Sequence, residues 1–331
     1  MKNFIFFLSF IAMLAFITAC GADNESGAET TEDQNQSEES ASADTDSSDA
    51  EDTEIVVNHE LGETTVPVNP EKVVVFDYGV LETLKELDID VAGVPQSNLP
   101  PHLEQYESDE YTNVGGLKEP DFEALAILDP DLIIISGRQG EMYDELSELA
   151  PTIFMGVDTA DYMTSFESNV EILGQIFNKE DEVQAKIAEV EDVVNDVEET
   201  TKETDGKALI VLTNDGSVSA YGAGSRFGWI HDELGLPQAD ENIEVATHGQ
   251  NVSFEYIAEK NPDYLFVIDR NAIVGGEDSA QKTLDNDLVN GTNAAKNDKV
   301  IYLDPNFWYI SGGGTESVRE MVTEVRDGIQ E

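Results

Sequence analysis

Short apolar runs at residues 72–76, 91–94, 132–136 and 152–157 have the length and β-branched content of buried strands. They alternate with stretches at residues 79–87 and 122–128 whose apolar positions recur at helical spacing. The alternation resumes after Gly206, with strands predicted at residues 208–213, 217–221, 264–268 and 300–303 and helices at 226–234, 254–260 and 315–329. Apolar strands separated by helices predict an α/β architecture in which mostly parallel sheets are covered by helices.

The pattern also repeats. Phe122 through Arg138 recurs without a gap, 132 positions later, as Phe254 through Arg270: Phe122 matches Phe254, Glu123 matches Glu255, Ala126 matches Ala258, Pro130 matches Pro262, Asp131 matches Asp263 and Arg138 matches Arg270. One helix, Pro-Asp turn, buried strand and terminal arginine in each half predicts two similar lobes with a cleft between them. Between the repeats, Val183, Ile187, Val190, Val194, Val197 and Thr201 form one narrow stripe on an otherwise polar helix over residues 179–203. Its length, about 37 Å at 1.5 Å per residue, would join two lobes side by side. The expected boundaries are an N-terminal lobe at 55–161, a helical connection at 162–205 and a C-terminal lobe at 206–331.

Residues 1–19 have the order of a secretory signal: Lys2, an apolar run from Phe4 to Ile17, then small residues up to Cys20. The run falls short of the ~20 apolar residues of a spanning helix. Ile17-Thr18-Ala19-Cys20 resembles the bacterial lipoprotein box, which implies cleavage before Cys20 and its acylation, for example with palmitate. Cys20 is the only cysteine, so the chain has no intrachain disulfide. Residues 21–54 hold 13 acids and no base, the composition of a disordered tether.

The formal net charge is −53, and residues 55–331 alone carry 57 acids against 16 bases, about −41. Such a chain has no basic face for nucleic acid. The acids are spread along the whole length, as on a solvated surface suited to salty or alkaline surroundings; the other reading is cation binding. No nucleophile elbow, phosphate-binding Gly-Lys-Ser/Thr loop or His-Glu-x-x-His motif is present, so the pattern does not indicate an enzyme.

Only five arginines occur: Arg138, Arg226, Arg270, Arg319 and Arg326. Arg138 and Arg270 lie just past the carboxyl ends of equivalent strands, where open α/β sheets bind ligands, and Arg226 follows the Tyr221-Gly222-Ala223-Gly224-Ser225 loop. Guanidinium groups suit planar anionic oxygens and aromatic faces; the alternative is pairing with the abundant acids. Arg319 and Arg326 read as surface partners of neighbouring Glu residues. His248 and Tyr309 sit in loop-like stretches, either as iron ligands or as structural and wall residues. Tyr78, Phe227, Trp229 and Trp308 are candidate walls of the same cleft, or packing. Ser311-Gly312-Gly313-Gly314-Thr315 reads as a helix start or backbone contact.

The run Lys72-Val73-Val74-Val75-Phe76-Asp77-Tyr78-Gly79-Val80-Leu81-Glu82-Thr83-Leu84, the Pro-Asp-Leu-Ile-Ile strand and the order of the loops resemble the solute-binding lipoproteins of iron-siderophore ABC importers. The resemblance covers residues 55–331 and is strongest to the branch that binds ferric catecholates, including petrobactin and enterobactin-type ligands. It implies the class III periplasmic-binding-protein fold, two lobes joined by one long helix. It also implies that Arg138, Arg226 and Arg270 grip the catecholates, and that His248 and Tyr309 complete the iron sphere of a tetradentate siderophore. Glu123 and Glu255 would dock a membrane permease; by chemistry alone they are helix-start acids favoured by the dipole. The implied protein is a monomer that binds Fe(III)-siderophore without a resident cofactor or catalysis, lipid-anchored at the extracellular face of a Gram-positive membrane. Hydroxamates, ferric citrate, haem or cobalamin are alternative cargoes, and an extracellular metalloenzyme is a more distant alternative.

Overall fold

Three valines at Val73–Val75 (β3) and the run Leu132–Ile135 (β6) are shut off from solvent on both sides, and they form the centre of a five-stranded sheet. The computed structural model describes residues 53–330. The predicted signal segment, tether and Cys20 lie outside these residues, apart from the tether's last two positions, Thr53 and Glu54.

The described residues begin with an antiparallel hairpin, β1 (Glu54–His59) and β2 (Gly62–Pro67), at the expected start of the first lobe, where the sequence reading predicted no strand. After β3 come α1 (Tyr78–Glu86), β4 (Gly93–Val94), a 3₁₀ turn at Pro101–Glu107, β5 (Thr112–Asn113), α2 (Phe122–Leu128), β6, α3 (Tyr143–Ser147) and β7 (Thr152–Phe154). The first sheet has the order β5-β4-β3-β6-β7 and is parallel throughout.

Two helices follow, α4 (Tyr162–Phe177) and α5 (Glu180–Thr201). The second lobe contains β8 (Ala208–Asn214), β9 (Ser217–Tyr221), α6 (Trp229–Asp232), β10 (Gln250–Val252), α7 (Phe254–Lys260) and β11 (Tyr264–Asp269). Four short helices come next, α8 (Asn271–Val274), α9 (Ala280–Leu284), α10 (Asp287–Asn290) and α11 (Asn293–Lys296), then β12 (Val300–Leu303), a π-helical turn at Asn306–Ile310 and α12 (Thr315–Gln330). Its sheet has the order β10-β9-β8-β11-β12, with β8, β11 and β12 parallel and β9 and β10 antiparallel additions. Asp215 and Gly216, both at positive φ, make the two-residue turn that returns β9 onto β8.

The repeat is structural down to single atoms. Asp129 and Asn261 end α2 and α7 in the left-handed conformation. Asp131 Oδ2 then accepts from the backbone N–H of Lys72 at 2.8 Å, as Asp263 Oδ2 accepts from Lys207 at 3.0 Å. Each Pro-Asp turn thus pins the start of the central strand of its own sheet.

The expected helical connection over 162–205 is a helix pair, in which the predicted helix over 179–203 is α5. Asn178, at positive φ, breaks the run and lets α5 fold back against α4. Along α4, Tyr162, Met163, Phe166 and Val170 enter the C-lobe core, whereas Leu173, Ile176 and Phe177 enter the N-lobe core, so this helix belongs to both. The stripe on α5 is buried as predicted at Val183, Ile187, Val190, Val197 and Thr201, with Val194 half-buried. The predicted helix at 226–234 is only one turn, α6; Gly228 is pressed against the Gly222 carbonyl, and the residues before it form turns.

A polar seam joins α1 of the first lobe to the start of α12. The Glu82 carboxylate, fully buried, accepts from the backbone N–H of Ser317 at 2.6 Å and lies 3.0 Å from His102 Nε2. Burial pushes its carboxyl up, against those two hydrogen bonds. Thr315 N–H donates to Thr83 Oγ1, Thr315 Oγ1 donates to Glu86 Oε2, and Lys85 pairs with Glu316 at 2.8 Å. Arg319 reaches Glu86 on α1 and Glu189 on α5, and Arg326 reaches Asp196 on α5, so both arginines tie helices together besides dressing the surface. Glycines let the backbones meet here: a Cβ on Gly79 would lie 2.1 Å from the Gly312 carbonyl oxygen and 2.8 Å from Gly314 N.

Gly79→Ala is therefore expected to destabilise the protein by about 2 kcal/mol or more, since backbone on both sides cannot yield. A urea-unfolding midpoint equal to that of the wild type would show that the two backbones do not meet in this way.

Candidate functional site

The carboxyl ends of β6 and β11 deliver Arg138 and Arg270 to the space between the lobes. Buried Gln139 sets the first of these: its Oε1 accepts from Ser136 N–H at 3.1 Å, and its Nε2 donates to the carbonyls of Phe76 and Leu117. One amide thus ties the ends of β3 and β6 to the 115–119 loop. Arg270 is set by the β8–β9 hairpin, donating from its backbone N–H to Thr213 O at 3.2 Å and from Nη1 to Asn214 Oδ1 at 2.7 Å. Arg226 leaves a tight turn closed by Ser225, whose backbone N–H and hydroxyl both donate to Gly222 O.

All three arginines meet at Tyr309, on the π-helical turn. Arg138 Nη2 and Arg226 Nη2 donate to its backbone carbonyl, the first at 2.8 Å, and Arg270 Nε donates to its hydroxyl at 2.9 Å. The Arg226 guanidinium lies 4.8 Å from the Tyr309 ring centroid and 5.1 Å from that of Phe227, with Arg270 at 5.8 Å from Tyr309. Burial, with Arg138 beside it, pushes the Arg226 guanidinium below its usual value, although an arginine remains charged at neutral pH. Pairing with acids is not what these three do: the arginine ion pairs among the described residues belong to Arg319 and Arg326.

Beside Arg138 and Tyr309 opens a cavity of about 410 Å³, walled by Asn98, Gly116 and Lys118 of the N lobe and by Ile273 and Val274 of the C lobe. This is the size range of small-molecule sites. Its charged lining is Lys118 and Arg138 with one carboxylate, Glu119, an excess of positive charge in a molecule otherwise strongly acidic. Sequence patterns gave no hint of Lys118 or of the apolar pair Ile273 and Val274; Asn214 had a signal in the Asn-Asp-Gly hairpin.

The four candidate wall residues are core residues instead. Tyr78 is fully buried, and its hydroxyl donates to the carbonyls of Pro95 and Ser97, holding the rim from beneath. Trp229 stacks between Tyr162 and Trp308, at 4.8 and 5.3 Å between ring centroids, and both tryptophans are shut off from solvent. Large rings with a saturated or single polar handle gain more from the core than from a wet wall. Phe227 is likewise buried, edge-on to Tyr221 at 4.7 Å.

Of the predicted iron ligands, Tyr309 is central and half-buried, and its phenolic oxygen has acceptor capacity left beyond the Arg270 bond. His248 is exposed, on a turn whose Gly249 backbone packs on the Tyr221 ring. It neither lines the cavity nor touches the arginine cluster. Glu123 and Glu255 are both exposed in the first turns of α2 and α7, above the N-caps Asp121 and Ser253.

Residues 73–307 match the periplasmic binding protein family. The petrobactin-binding protein YclQ of Bacillus subtilis is 47% identical across the whole of both chains, and its crystal structure superimposes with a TM-score of 0.82 over 84% of this chain and 99% of that one, at 51% identity. The ferric-anguibactin-binding protein FatB of Vibrio anguillarum is 34% identical over 84% of this chain and 88% of its own length. The periplasmic catecholate-siderophore binding protein VctP of Vibrio cholerae gives a TM-score of 0.79 at 35% identity, over 83% of this chain and 99% of that one. With two α/β lobes, a cleft between them and these relatives, the chain is a member of the periplasmic binding protein family.

Proposed function

We propose that this protein captures an anionic ferric catecholate siderophore between its lobes and presents it to an ABC permease for iron uptake. The observation that carries this is the convergence of Arg138, Arg226 and Arg270, from both lobes, on one tyrosine with no carboxylate paired to them. Planar guanidinium groups match the paired oxygens of catecholate and lie flat against its ring. Relatives named for petrobactin and for catecholate siderophores support the choice over hydroxamate, whose neutral complexes do not need three cations. The cluster has to act at short range, because the net negative charge repels the cargo until salt screens it, within about 10 Å at 0.1 M.

Entering catecholate oxygens take the donors that now point at the Tyr309 carbonyl. Tyr309 and His248 would then close the coordination sphere of iron held by a tetradentate siderophore, whereas a hexadentate one leaves them outside it. The exposed, repeat-related pair Glu123 and Glu255 places one carboxylate on each lobe for the permease. Acylation at Cys20 would hold the protein at the extracellular face of the membrane, as a monomer, with iron as cargo rather than cofactor.

Arg226→Ala should weaken quenching of intrinsic fluorescence by a ferric bis-catecholate about ten- to a hundredfold, the loss of a charged hydrogen bond. Tight binding of a ferric hydroxamate with none of catecholate would overturn the assignment. His248→Ala should abolish a protein-induced change in charge-transfer absorption with the tetradentate complex and leave the hexadentate complex unaffected. An unchanged spectrum in both would remove His248 from the iron sphere. Glu123→Lys with Glu255→Lys should abolish siderophore-dependent iron uptake by cells while leaving cargo affinity at the wild-type value; undiminished uptake would exclude them as docking residues.

A further inference from the structure

Glu324 lies on α12, outside the cavity wall, and grips the segment that leads into the π-helical turn at two points. Trp308 Nε1–H donates to its Oε2 at 2.7 Å, and the backbone N–H of Asp304 donates to its two oxygens at 3.2 and 3.3 Å. Between these anchors the Asn306 N–H and side-chain amide donate to Asp304 Oδ1 at 2.9 and 2.8 Å, which closes the bend. Tyr309 is the next residue after Trp308. The stacked Trp229 and Trp308 rings fix the turn by packing, but only the Glu324 carboxylate reaches both its start and its indole.

We propose that Glu324 is a positioning residue for the cargo site: as a carboxylate it holds Asp304 and Trp308, and so sets Tyr309 where the three arginines converge. Protonated, one of its oxygens becomes a hydroxyl and no longer accepts both donors in the same geometry. The charged groups facing it are carboxylates, Asp304 from the segment after β12 and Glu320 one turn earlier on α12. On the other sides of α12, Glu86 of α1 and Glu189 and Asp196 of α5 face Arg319 and Arg326, and Lys299 caps the helix end at Gly328 and Ile329. Burial, with Asp304 and Glu320 adding to it, pushes the Glu324 carboxyl up to about 7, against the hydrogen bonds from Trp308 and Asp304. A carboxyl raised in this way is charged only above that value. The grip is therefore present in alkaline solution and is lost as the pH falls through about 7.

The test uses the full chain and Glu324→Gln, whose amide keeps the shape but offers a donor where one acceptor stood. Trp308 is one of only two tryptophans, so unliganded emission reports on the contact. Wild-type emission should titrate with a midpoint near pH 7, and Glu324→Gln should show no such transition. In the binding arm, which rests on the catecholate reading, the ratio of Kd values between variant and wild type cancels the ligand's own pH behaviour. That ratio should be about tenfold at about pH 8.5 and within about twofold at about pH 5.5, the effect of one hydrogen bond to a charged group. Should Glu324→Gln fail to fold, Trp308→Phe removes the same donor while keeping an aromatic side chain in the stack, and it should show the same loss at alkaline pH. A flat emission profile in the wild type, or a Kd ratio independent of pH, overturns the proposal. An emission transition that depends on Glu324, in a protein that binds no catecholate, upholds the positioning role and refutes the cargo.

Discussion

One peptide carbonyl holds together what would otherwise fly apart. Arg138 belongs to the first lobe and Arg226 to the second, both are cationic, and both donate to Tyr309 O. Like charges brought this near repel unless something negative lies between them, and a carbonyl dipole at hydrogen-bond distance is the smallest group that serves. The rest of the site is arranged around keeping it in place. The aromatic stack lies under the turn, and Ile310 is driven into the N-lobe core one residue later. His102 of the first lobe packs its ring 4.8 Å from Phe307, two residues earlier. A π-helical turn suits the task because its widened backbone presents carbonyls and side chains that an α-helix would commit to its own ladder.

The second constraint is the seam between α1 and α12, where glycine and polar groups replace an apolar interface. Carboxylates of Glu82 and Glu86 meet N–H groups, hydroxyls and cations that leave few alternatives in register. Packed oil would allow the lobes to slip by small amounts; paired buried polar groups penalise any offset that leaves one unmatched. The lobes are thereby indexed to each other along α1 and the start of α12.

Much of this was legible because it rests on periodicity. Alternating strands and helices, the 132-residue repeat and the α5 stripe follow from burial of one face per element, which leaves a regular trace. Arg138 and Arg270 were legible for the same reason, as repeat-related residues past strand ends, and Tyr309 by residue type and place. What periodicity does not encode is which way a side chain in a loop or a short turn is pulled by partners far along the chain. Tyr78 stands just past a strand end, and Trp229 and Trp308 stand near Arg226 and Tyr309 in the sequence. Yet each is drawn inward, Tyr78 by the Pro95 and Ser97 carbonyls, Trp229 by stacking between Tyr162 and Trp308, and Trp308 by stacking on Trp229. Glu82 and Glu324 lay hidden among 70 acids, because a carboxylate that captures an N–H is no different in sequence from one that faces water.

The seam also sets an order of assembly. The first lobe's core includes Ile310, and its buried Glu82 is matched by the backbone of Ser317, 235 positions away. Until those last residues are available, the N-terminal half has an open edge and a carboxylate without its partner. The N-terminal half therefore cannot complete itself alone, and its core closes only when the C-terminal segment reaches it, a long-range step of the kind that slows folding. Truncation at the C-terminus would accordingly be felt in both lobes, the one synthesised first included.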